Sequence, residues 1–203
     1  MLTGSWSWFS YYIRYIWIVV LLLSIYFSWR KVRDLPFKKR FDQKQGFSSA
    51  VDIFLMIVFS IFIVSALTSF TTNDKAMNLT FPLEDGKYYI FHGGSTTATN
   101  YHAVYEPQQY ALDVVGLNKY GSRANGLYPK ELEKYAIYGA TLISPCTGEI
   151  TEMRDSLPDH TPPNTDREHP ERNYVAIVCD GYDATLYIAH MQEGSVQVEV
   201  GDK

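Results

Sequence analysis

The stretch Ala50–Phe70, AVDIFLMIVFSIFIVSALTSF, decides the fold class of this chain. Apart from Asp52 near one end it is an unbroken apolar run of about 20 residues, long enough as a helix to cross roughly 30 Å of hydrocarbon. Working back toward the N-terminus, Phe9–Trp29, FSYYIRYIWIVVLLLSIYFSW, is a second run of the same kind. Trp6, Trp8, Tyr11 and Tyr12 stand at one end of it and Tyr26 and Trp29 at the other, where amphipathic rings mark the two membrane interfaces. Arg14 lies near an end and can snorkel to the headgroups. A removable signal peptide accounts for one such run, but not for two separated by a charged loop. The sequence therefore predicts an anchor over residues 1–70 with two transmembrane α-helices, at about 9–29 and 50–70.

The intervening residues 30–49 fix the expected orientation. They carry Arg30, Lys31, Arg33, Lys38, Lys39, Arg40 and Lys44 against only Asp34 and Asp42. Short loops this rich in Lys and Arg stay on the cytoplasmic side, so everything after Phe70 is expected to be extracytoplasmic. Charge divides accordingly: residues 1–70 carry +5 and residues 71–203 carry −9, giving the net −4 of the whole chain. An acidic outer part is a poor partner for nucleic acid and suits cations, metal ions or neutral wall polymers better.

Residues 71–80 read as a linker, with a polar stretch from Asn73 to Met77, and residues 81–203 are ample for one domain with its own core. Helical periodicity is weak there. Short alternating or β-rich runs occur at residues 87–91, 110–115, 140–143, 148–153, 174–179, 185–190 and 195–200, separated by Gly93-Gly94, Pro145, Gly148, Asp180-Gly181 and Gly201-Asp202. This predicts an all-β, antiparallel domain with one helical turn near Pro129 to Lys134. The stretch Asp155 to Arg172, with Pro158, Pro162, Pro163 and Pro170, reads as a long loop of the kind that borders binding grooves.

Both cysteines, Cys146 and Cys179, fall in this outer part at strand edges. A disulfide between them would close a loop of about 33 residues and contribute roughly 3–4 kcal/mol in the chain-entropy model. Two small buried thiols are the alternative.

The residue types that build a catalytic zinc site also lie in this part: His102 in Asn100-Tyr101-His102, Asp113 in Gln109-Tyr110-Ala111-Leu112-Asp113, and His190 in Ala189-His190-Met191. A hydrolytic zinc takes about three nitrogen or carboxylate ligands and keeps one position for the water it acidifies, with a further histidine placed to move protons. By residue type His102 and Asp113 can be ligands and His190 a shuttle. A lone Asp after a strand is more often a turn or cap residue, and a lone His more often a satisfied structural residue.

From about Phe81 onward the sequence resembles the lysostaphin/LytM-type zinc metallopeptidases, the peptidoglycan endopeptidases of duplicated hybrid motif architecture. The resemblance is carried by Phe81-Pro82-Leu83, Gly93-Gly94, Asn100-Tyr101-His102, Gln109 to Asp113, Ser144 to Ile150, Asn173 to Ile177, Ala189-His190-Met191, and Gly194-Ser195-Val196 through Val200-Gly201-Asp202. The commoner family pattern has a histidine where this chain has Gln109. The closer likeness is to a branch in which an upstream Asn-x-His precedes Gln-x-Tyr-Ala-x-Asp. The resemblance then implies zinc as cofactor, His102 and Asp113 as metal ligands, His190 as the catalytic histidine that does not bind metal, and peptidoglycan peptides as substrate. It also implies a His-x-His motif beyond Lys203, and with it the expectation that the chain is a fragment. The alternative function is a non-catalytic domain that binds wall material or regulates another hydrolase, which Gln109 favours.

Overall fold

The computed structural model describes residues 5–35, 43–72 and 75–203. Of the expected basic loop, Lys38, Lys39, Arg40 and Asp42 lie outside the described residues, as do the side chains of Trp6 and Lys44 and the linker residue Asn73. Two α-helices come first, α1 (Ile13–Val32) and α2 (Gln43–Thr68). Both are long and apolar enough to cross a membrane, and no part of either span is buried inside the protein. A core helix of a water-soluble domain would be largely covered, whereas these expose apolar side chains all round. The helix limits differ from those of the apolar runs. α1 continues through Arg30 and Lys31, cations that the C-terminal end of a helix dipole favours. α2 starts within the segment expected to be loop, because residues 43–49 contain no proline to stop it.

Five strands follow: β1 (Lys87–His92), β2 (Asp113–Leu117), β3 (Gly148–Arg154), β4 (Asn173–Cys179) and β5 (Thr185–Met191). β1 and β2 form a two-stranded sheet, and β3, β4 and β5 a three-stranded antiparallel sheet with β4 central. Only short 3-10 turns accompany them among the described residues, including Leu132–Lys134, where one helical turn is expected. By its contacts the chain divides into two compact units: Met1–Asp74 with Tyr89–Val114, and Lys75–Tyr88 with Val115–Lys203.

In the second unit, the alternation of β4 places Val175, Ile177 and Cys179 in a buried cluster with Ile150 of β3. Met153, Leu186, Ile188, Val196 and Val198 pack around it. Gly148 faces Cys179 across the β3–β4 pair, and a Cβ at Gly148 would run into the Val178 carbonyl oxygen, so no larger residue fits there. Cys146 and Cys179 stand as a disulfide pair with Cα atoms 5.8 Å apart. The long loop from Asp155 begins with a reciprocal clamp: the Leu157 N–H donates to Asn173 Oδ1 (2.9 Å), and Asn173 Nδ2 donates back to the Leu157 carbonyl (2.8 Å). Further along, Arg172 Nη1 donates to Asp166 Oδ2 (2.8 Å).

Two expected strands are absent. Residues 195–200 form no ladder because the Asp155 carboxylate takes the N–H groups of Ser195 (3.2 Å) and Val196 (3.1 Å). Residues 140–143 make only an isolated bridge, Leu142 to Leu83, between the prolines Pro82 and Pro145, which have no N–H to extend it.

In the first unit, the end of α2 is joined to the loop that follows β1. The Ser95 N–H donates to the Ser69 carbonyl (2.9 Å), the Thr96 N–H to Ser69 Oγ (3.2 Å), and Thr96 Oγ1 to the Ser65 carbonyl (2.9 Å). Ser69 Oγ also meets Thr99 Oγ1. Gly94, at φ +110°, is packed so closely against Ser69 and Thr99 that a Cβ there would overlap both. Near the start of α1, the Tyr11 ring lies edge-on to Tyr89 of β1 at 5.9 Å.

Candidate functional site

The buried amide of Asn100 organises the site. Its Nδ2 donates to the carbonyls of Gly94 (2.9 Å) and Gln109 (2.9 Å) and reaches that of Ala111 (3.4 Å), while its Oδ1 accepts the His102 N–H (3.0 Å). One side chain thus fixes the loop carrying His102 against the segment leading into Asp113. These bonds also explain why β2 begins at Asp113 rather than at Tyr110: the carbonyls of Gln109 and Ala111 are committed to Asn100, and the Ala111 N–H closes a turn onto the Gln108 carbonyl (2.8 Å).

His102 and Asp113 are brought together as the sequence expects, with Nε2 3.1 Å from Oδ1. A third group was missed. His92, the last residue of β1, places Nδ1 2.7 Å from Asp113 Oδ2, so the carboxylate lies between two imidazoles. Both imidazoles are 13% exposed and the carboxylate 38%, which makes Asp113 the open member of the cluster. His102 Nδ1 meets Gln108 Oε1 at 3.2 Å, so the amide beside the imidazole belongs to Gln108 and not to Gln109. Tyr101 covers the two rings, 3.8 Å from His102 and edge-on to His92 at 4.7 Å between centroids. Although Tyr101 is largely exposed, partial desolvation, and then the charge of Asp113, raise its phenol above the ordinary pKa. Nothing local to Phe91-His92-Gly93 marks His92 out: its place in the site follows from β1 sharing a sheet with β2.

The donor types here, imidazole nitrogen and carboxylate oxygen, are those zinc takes. The 3.1 Å between His102 Nε2 and Asp113 Oδ1 is close to the roughly 3.3 Å separating two ligands of a tetrahedral zinc with bonds of about 2.0–2.1 Å. The two imidazoles, however, aim at different oxygens of Asp113. Among the described residues no three His, Cys, Asp or Glu side chains surround a common point as ligands of one metal ion.

His190 lies in the second unit, on β5. It is the extra residue of a β-bulge, since Asn173 pairs with Met191 and Tyr174 with Ala189. Its φ of +61° is a left-handed conformation that a residue with a Cβ rarely adopts, and its N–H donates to the Glu171 carbonyl (3.1 Å). Bulges of this kind re-aim side chains at sites of function, and the His190 side chain is exposed.

No family model, no curated protein and no solved structure matches this chain. The likeness to the LytM-type peptidases therefore rests on the motifs quoted above.

Proposed function

We propose that this protein is a membrane-anchored, extracytoplasmic, zinc metallopeptidase-like hydrolase of peptide bonds in peptidoglycan. The observation that carries the reading is the meeting of His102 and Asp113 at 3.1 Å, with the carboxylate accessible and the imidazole held between it and Gln108. His102 Nε2 and Asp113 Oδ1 are the atoms that would hold zinc. Zinc held by them would supply an acidified water and would polarise the scissile carbonyl. His92 orients Asp113 through its other oxygen and Tyr101 covers the rings, while proton transfer is the role that the resemblance implies for His190. Placement outside the cell follows from the basic segment between the helices.

The test is zinc content and release of new amino termini from purified peptidoglycan by the full chain in lipid. Bound zinc that Asp113→Asn removes, with hydrolysis lost in His190→Ala while its zinc is retained, is the expected result. A chain that binds no zinc and releases nothing sinks the proposal. The second reading, a non-catalytic wall-binding domain, is favoured by Gln109, which contributes its carbonyl to Asn100, and by the lack of a three-ligand group among the described residues. Sedimentation of the chain with intact peptidoglycan, without hydrolysis, is its signature.

A further inference from the structure

The stretch from Tyr89 to Leu112 contains a single Lys, Arg, Asp or Glu side chain, Glu106. In the same stretch Tyr101, Val104, Tyr105, Tyr110 and Leu112 are all exposed, Val104 at 79% and Leu112 at 60%. Scattered exposed apolar residues are ordinary, but so many on one short segment with one charge mark a surface that contacts something other than water. What lies next to it is set by the bonds already described. Ser65 and Ser69, in and just beyond the last turn of α2, are hydrogen-bonded to Ser95, Thr96 and Thr99, and Tyr11 beside α1 touches Tyr89. The segment is thus continuous with the ends of both apolar helices, at the level where a spanning helix leaves the hydrocarbon. Tyrosine prefers that level, with its ring in the apolar layer and its hydroxyl in water.

We propose that residues 101–112 form a membrane-surface edge, with Val104, Tyr105, Tyr110 and Leu112 seated in the headgroup region of the bilayer that carries α1 and α2. The seating is apolar and aromatic rather than electrostatic, since the segment has no Lys or Arg to engage anionic lipid. It places the neighbouring His102 and Asp113 at the bilayer surface, where a peptide carried on the membrane would meet them. The inference rests on α1 and α2 spanning the membrane and does not depend on hydrolysis.

The experiment uses the full chain in phosphatidylcholine–phosphatidylglycerol vesicles, with a nitroxide on one cysteine at a time. The positions are Val104→Cys, Tyr105→Cys and Leu112→Cys, with Ile57→Cys as the membrane reference and Asp183→Cys as the aqueous reference. Relaxation by oxygen relative to a water-soluble nickel chelate reports immersion. The expected ratio at 104, 105 and 112 lies between the two references and several-fold above that at 183. A ratio equal to that at 183 overturns the proposal, as does a label shielded from both reagents, which would mean that protein covers the segment. A high ratio at 57 alongside either result leaves the membrane reading standing and removes only the surface edge. Zinc content and peptide release are read separately.

Discussion

Asn100 donates its side-chain amide to the carbonyl of Gln109, tying together two stretches that the chain otherwise joins only through eight exposed or half-buried residues. Since Asn100 is fully buried and its amide serves both the His102 and the Asp113 arms, Asn100→Ala leaves several backbone groups without partners. The expected cost is about 2–4 kcal/mol, read by chemical denaturation of the chain in nanodiscs. Asn100→Asp keeps the acceptor for the His102 N–H but loses the donors, and should recover only a minor part.

Gly94 and Gly126 both have positive φ, but only Gly94 is crowded, by Ser69 and Thr99. Gly126→Ala should cost about 1 kcal/mol from backbone conformation alone. Gly94→Ala adds an overlap with the end of α2 and should cost about 2–4 kcal/mol. Equal melting temperatures for the two variants would refute the packing described around Ser69.

Cys146 and Cys179 are separated by 33 residues. Reduction is expected to lower the stability of the β3–β4–β5 unit by roughly 3–4 kcal/mol, seen as a drop in the denaturant midpoint with a steeper slope, because the unfolded chain without the cross-link exposes more surface. A chain with two alkylatable thiols before any reductant is added would contradict the pairing.

Burial of Asp166 opposes its ionisation, but the N–H groups of Glu168 and His169 and the His169 ring outweigh it, holding the carboxyl at about 2. A carboxyl depressed in the folded state stabilises above its unfolded value near 4, and that contribution is lost as the pH falls toward 2. Amide exchange at Glu168 and His169 should therefore accelerate, relative to its intrinsic rate, as the pH drops from about 4 to about 2. In Asp166→Asn that acid-dependent step should disappear.

What could be read from the residues depended on whether a pattern was carried by side-chain period or by a single long-range bond. The apolar lengths of α1 and α2, and the alternation in Val175, Ile177 and Cys179, are properties of consecutive residues and were legible. Residues 195–200 alternate just as well, yet the Asp155 carboxylate, some forty positions earlier, captures the N–H groups a ladder would have needed. His102 and Asp113, whose side chains lie together, were singled out by chemical type and by resemblance. His92 was not, because its part in the site depends on which strands share a sheet, and nothing local to Phe91-His92-Gly93 says that β1 meets β2. The left-handed backbone at His190 was equally invisible, since it arises from the mismatched pairing of β4 with β5.

The hydroxyl clasp between Ser69 and the loop Ser95–Thr99 makes the final turn of α2 and the backbone leading to His102 a single lever. A spanning helix changes its tilt to match the thickness of the bilayer around it. A change in the direction of that helix end would carry Gly94 and Asn100 with it, and because Asn100 holds both arms, His102 and Asp113 would move as one piece.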